Sequence, residues 1–187
     1  MTQKINWKKI ATLPKTEQQI HFAAILSAAF KKKNITLTVV GGSAVQFYTD
    51  ANYTTKDLDA VLYGDDKASV EEVMNALGFK RSQSYRHFEH PKLNFVVEFP
   101  PDPVAVGSKI ITKINLIKMN SLEVRVIRIE DILMDRIIGA IEWKSEKYHE
   151  QAKLLWKKNK DLIDLKYLKN FAKEEGYTKE LNQIIKT

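Results

Sequence analysis

The sequence predicts an α/β (α+β) fold, a mixed β-sheet core with flanking helices and a C-terminal helical bundle that covers one side of a cleft. Three observations predict it. Short apolar runs rich in strand-forming residues alternate with helix-period stretches up to residue 128. From Ile129 onward only the helical pattern remains. Between them, residues 39–62 set a Gly41-Gly42-Ser43 turn after one apolar run and Asp57-Leu58-Asp59 inside the next.

The elements follow in chain order. Thr16 and Gln19 have the spacing of a capping box that opens a helix through Phe30. Residues 35–40 read as a buried strand, Ser43 as the cap of a short helix, and Asp57 to Tyr63 as a second strand bracketed by polar segments. Ser69 and Glu72 predict a helix to Leu77, closed by Gly78. Strands are expected at 79–88, 93–99, 110–118 and 122–128, with Pro100 to Ser108 as a flexible loop. The core spans 1–128 and the helical region 129–187, packed together as one unit.

Side chains two apart on a strand share a face, so Asp57 and Asp59 project together with Cα atoms about 6.5–7 Å apart. Such a pair repels itself unless a cation or a proton intervenes, and Mg2+ (or Mn2+) favours carboxylates combined with substrate phosphates. Gly41 and Gly42 let the backbone turn tightly, and amides at a helix start attract anions. A nucleoside triphosphate cradled by Gly41, Gly42 and Ser43, beside metals on Asp57 and Asp59, is the expected arrangement. Glu98, at the end of an apolar strand before Pro100-Pro101, is the candidate third carboxylate, and Glu123 is its rival.

This order of strand, Gly-Gly-Ser, helix and Asp-x-Asp strand resembles the nucleotidyltransferase superfamily, the DNA polymerase beta-like fold. Thirteen residues separate Ser43 from Asp57, toward the long end of that family's spacing. The run Glu130 to Ala140 is similar to the Lys-Leu-x-x-Ala element of nucleotidyltransferase-like toxins of the abortive-infection (AbiEii) type. Lys160-Asp161-Leu162-Ile163-Asp164-Leu165 is similar to their Arg-Asp-x-x-Asp-Leu element, with Arg136 standing for lysine and Lys160 for arginine. The resemblance implies that Arg136, Lys160, Asp161 and Asp164 line a nucleotide cleft. The toxin-like resemblance also implies transfer of a nucleotide to RNA such as a tRNA 3′ end, or to a protein hydroxyl, and an antitoxin partner, while the wider superfamily includes small-molecule acceptors such as antibiotics.

Helical winding places Arg136 among Ile129, Ile132, Leu133 and Ala140, and Asp161 and Asp164 on the apolar side of Leu165, Leu168, Phe171 and Ala172. Charges facing a core need partners. An ion pair between Arg136 and Asp161 or Asp164 is one reading, a nucleotide contact the other. Trp143, Tyr148 and Trp156 at helical spacing read first as core and second as base-stacking groups.

Composition sets the limits. The 187 residues contain no cysteine, which excludes disulfides and thiolate metal sites, and the four histidines lack ligand spacing, which argues against zinc. No apolar stretch reads as a signal peptide or membrane span, so a cytoplasmic protein is expected. The net charge of +7 is uneven: residues 1–33 carry seven lysines against one glutamate, and 144–187 eleven lysines against seven acids. Residues 34–143 hold twelve basic and fifteen acidic groups. A carboxylate-bearing centre between basic ends suits an anionic polymer substrate. A non-catalytic nucleotide- or RNA-binding protein that keeps the fold, and a plain interaction module, are the competing readings.

Overall fold

In the computed structural model, which describes residues 7, 10, 12–82, 84, 86–91, 96–119 and 122–187, a seven-stranded mixed sheet carries helices packed along it. The chain runs α1 (Lys15–Lys31), β1 (Thr36–Val39), α2 (Gly41–Tyr48), β2 (Asp57–Tyr63) and α3 (Lys67–Ala76). Then come β3 (Lys80–Arg81), β4 (His87–Glu89), β5 (Val96–Glu98), β6 (Ala105–Val106), β7 (Lys109–Ile110), β8 (Ile114–Met119) and β9 (Leu122–Ile127). Four helices follow: α4 (Ile129–Glu142), α5 (Glu146–Asn159), α6 (Leu165–Glu175) and α7 (Thr178–Ile184).

The large sheet has the order β3-β4-β5-β2-β1-β9-β8, with β6 and β7 forming a separate hairpin. β2 runs antiparallel to β1 and parallel to β5, and β1 runs parallel to β9. This order puts β2 in the middle of the sheet, where both neighbours fix its register. Leu58, Ala60 and Leu62 bury one of its faces, which leaves Asp57 and Asp59 together on the other.

One hydrophobic core joins sheet and bundle: Phe22, Phe30, Leu37 and Phe88 belong to the same buried cluster as Leu133, Leu155, Phe171 and Leu181. Tyr48, at the end of α2, ties the two halves by hydrogen bonds. Its hydroxyl donates to the Ile127 carbonyl (2.8 Å) and accepts from Asn115 (2.9 Å), while its carbonyl accepts from the Asn159 amide (2.8 Å).

Several boundaries differ from the sequence reading, each for a local reason. Helix α1 opens after Pro14 without a side-chain cap, and Gln19 instead donates to the carbonyls of Thr55 and Asp57. Helix α3 opens at Lys67 because Asp66, not Ser69, caps it, accepting from the Ser69 amide at 2.8 Å. The stretch expected as strand 79–88 contains two short strands, paired as a hairpin. The strand expected at 93–99 is described only as Val96–Glu98, since residues 92–95 lie outside the described residues. The expected strand 110–118 is split between β7 and β8.

Two further expectations are corrected. Pro100 to Ser108 contains β6 and is fastened at its middle and its end, by Val104 N–H to the Tyr63 hydroxyl (2.8 Å) and by Ser108 to the Glu175 carboxylate. Asp161 and Asp164 do not lie on an apolar helix face. Helix α6 begins only at Leu165, residues 160–163 form a turn and bend, and Asp164 is the exposed N-cap whose carboxylate accepts from the Tyr167 amide at 3.0 Å.

Candidate active site

A cleft of about 640 Å3 opens between the sheet, the α4–α5 hairpin and the Pro100–Val106 segment. Its sheet wall carries Gly41, Gly42, Asp57, Asp59 and Glu98. Asp59 and Glu98 stand side by side in the parallel register of β2 and β5, and Asp57 lies two residues back on the same face.

The turn between β1 and α2 is built around Asp59. Gly41 adopts φ +56°, and a Cβ there would come within 2.5 Å of Asp59 Oδ2, so only glycine fits on both grounds. The Gly42 N–H donates to Asp59 Oδ2 at 2.7 Å. Ser43 sits behind the turn, buried, and its hydroxyl donates to the Asp57 carbonyl (2.9 Å) and accepts from the Asp59 N–H (3.0 Å). Ser43 therefore pins the helix start to the acidic strand and is not part of the cleft lining.

Burial pushes the Asp59 carboxyl up to about 6, and the charges of Glu98 and Asp57 add to the rise, against the lowering effect of the Gly42 and Ser43 amides. Asp57, Asp59 and Glu98 line the same cleft, where like charges call for a proton or a cation. Glu98 also meets His87 Nε2 at 3.2 Å, and among the described residues no three His, Asp or Glu side chains are already arranged to hold a metal ion. The donor set fits a hard divalent cation bound by one or two carboxylates, with the remaining positions left for substrate oxygens. Asp57 and Asp59, on one face of β2, offer such a pair.

The helical wall supplies Arg136, which is 4% exposed. Its Nε lies 3.4 Å from Asp135 Oδ2 without a hydrogen bond, and its guanidinium carbon lies 4.4 Å from the centre of the Tyr148 ring. The ion pair weighed with Asp161 or Asp164 is thus replaced by a contact with the neighbouring Asp135. Burial raises the Asp135 carboxyl, and Arg136 opposes that rise. Lys160, Asp161 and Asp164 are exposed beyond α5, and none of them lines the cleft. Glu123 is exposed on β9 and lines a separate groove with Leu116 and Arg125.

Sequence reasoning missed Tyr53, Thr55, Asp135, Lys147 and Gln151, all on the cleft wall. Asp135 carried the same signal as Arg136, a charge on an apolar helix. The others carried none, since packing of the α4–α5 hairpin against the sheet brings them in. Trp143 also lines the cleft, 68% exposed, whereas Trp156 packs against the core.

No family model matches the sequence, and no curated protein matches it either. Solved structures do. A nucleotidyltransferase-like antigenic protein from Paracoccidioides brasiliensis superposes with a TM-score of 0.61 at 15% identity, over 92% of this chain and 94% of that one. The antibiotic-resistance factor ANT(2'')-Ia superposes in its solution structure with a TM-score of 0.55 at 18% identity, over 91% and 98% of the two chains. Its crystal structure in complex with adenylyl-2''-tobramycin gives 0.54 at 18%, over 84% of this chain and 98% of that one. What this chain shares with these proteins is the nucleotidyltransferase-like fold, a mixed sheet with flanking helices.

Proposed function

We propose that the protein is a divalent-metal-dependent nucleotidyltransferase that moves a nucleoside monophosphate from an NTP to an acceptor hydroxyl. The observation that carries this reading is the convergence of Asp57, Asp59 and Glu98 on one cleft face beside the Gly41-Gly42 helix start. Asp57 and Asp59 would hold Mg2+ or Mn2+, which when bound neutralises charge on the phosphates and the attacking oxygen. Arg136 binds the phosphate chain as a buried guanidinium facing an anion. Glu98 accepts the proton of the acceptor hydroxyl. That oxygen bonds to the α-phosphorus, the bond from the α-phosphorus to the bridging oxygen breaks, and pyrophosphate leaves.

The acceptor is proposed to be RNA, such as a tRNA 3′ end, or a protein hydroxyl, in a toxin-like role with an antitoxin partner. The basic ends of the chain support an anionic acceptor. Lys160, Asp161 and Asp164 take no part in the proposed chemistry. Incubation with each α-labelled NTP, Mg2+, total tRNA and cell extract tests it. Label should appear in an RNA or protein band with the natural chain and vanish with Asp59→Asn. A folded Asp59→Asn protein that still transfers label would overturn the mechanism.

The contact of Glu98 with His87 favours a second reading, a nucleotide-binding protein that does no chemistry. It predicts that NTP and Mg2+ raise the melting temperature while no labelled product forms.

A further inference from the structure

We propose that Trp143 is the platform on which the base of the incoming nucleoside triphosphate stacks, an inference that rests on the nucleotidyltransferase reading of the cleft. Trp7 and Trp156 pack against the core, but Trp143 leaves 68% of its surface exposed on the cleft wall. An indole is among the largest apolar side chains, and holding it in water at a cleft gains no burial.

The ring is nevertheless held in place. It meets Tyr148 edge-on, with centroids 5.3 Å apart and planes at 62°. Both rings lie over Gly139, where a Cβ would stand 2.7 Å from Tyr148 Cε2 and 3.1 Å from Trp143 Cζ3. Glycine inside a helix costs about 1 kcal/mol relative to alanine. Its presence in α4 makes room for the two rings.

Position completes the argument. The guanidinium of Arg136 lies 4.4 Å from the Tyr148 ring and that ring 5.3 Å from Trp143, so the cation and the indole are within about 10 Å of each other. A nucleotide bound through its phosphates to Arg136 spans that gap with its ribose and sets its base at the indole. Stacking uses the π-face that every base has, so Trp143 favours the larger purines without selecting a single base.

The test is an equilibrium titration with ATP, GTP, CTP, UTP and inorganic tripolyphosphate in Mg2+, read by tryptophan emission and by calorimetry. Purine triphosphates should quench part of the emission, and tripolyphosphate should not. Trp143→Ala should abolish the quenching and weaken ATP and GTP by about 5- to 100-fold while leaving tripolyphosphate affinity and melting temperature unchanged. Trp143→Phe should restore most of the affinity. Unchanged NTP affinity in Trp143→Ala, or equal losses for NTP and tripolyphosphate, overturns the platform while the cleft reading stands. Loss of RNA affinity alone assigns the indole to the acceptor and also overturns it. Failure of the natural protein to bind either NTP or tripolyphosphate removes both the platform and the reading beneath it.

Discussion

Asp59 is the residue at which folding and chemistry compete. Its carboxyl titrates near 6 in the folded protein against about 4 in an unfolded chain, because burial and two neighbouring carboxylates disfavour its charge. The folded state therefore binds this proton more tightly, and stability is lost as pH rises from about 4 through about 6. The loss at neutral pH is about 3 kcal/mol. Asp59→Asn should thus melt near the natural protein at pH 4 and about 6–12 °C above it at pH 7.5 in the absence of divalent metal. Equal differences at the two pH values would show that Asp59 carries no such strain. Ser43→Ala should act in the other direction, costing about 1–2 kcal/mol by removing both hydrogen bonds to the acidic strand. The acids themselves were legible because a strand has a period of two. The role of Ser43 was not, since a hydroxyl after Gly-Gly reads equally well as a phosphate ligand or as a pin.

Among the elements, the β6–β7 hairpin departs furthest from its sequence. Residues 100–108 read as loop from their prolines, yet they form a cleft wall held by contacts distant in the chain. Ser108 donates twice to Glu175, through its amide at 3.0 Å and its hydroxyl at 2.6 Å. Lys109 meets Glu174 at 3.1 Å and lies over the rings of Tyr167 and Phe171. The hydrogen-bonded partners are 65 and 67 residues apart, so no local pattern announces them. Glu175→Ala should speed amide exchange at Ser108 and along the hairpin and cost about 1 kcal/mol of stability, with α4 and α5 unaffected. Protection unchanged at Ser108 would mean that packing alone holds the hairpin. Helices α4 and α6 were legible from their apolar stripes, but the start of α6 was not. Winding the helix back through Asp161 ignored Asp164 as its cap, and this placed two exposed acids on a buried face.

At the scale of the whole molecule, the acidic face of the cleft exists because strands distant in sequence become neighbours. β5 beside β2 brings Glu98 level with Asp59, and β9 beside β1 carries the chain into α4, which supplies Arg136 to the opposite wall. Strand composition identifies such strands but not their order, which depends on long-range pairing. The hydrogen bond from the Gly42 amide to Asp59 ties the two groups of the sheet wall proposed to meet phosphate and cation. Under the proposed function, a triphosphate arriving alone would find a negative charge on the Gly42 amide, and a cation arriving alone would have to draw that carboxylate off its donor. Arriving together, each removes the obstacle to the other. The proposed reading therefore predicts coupled affinities, with Mg2+ tightening triphosphate binding by the same factor that triphosphate tightens Mg2+ binding, which titration of each in the presence of the other measures. Such a site would favour the metal-bound triphosphate over either ligand alone.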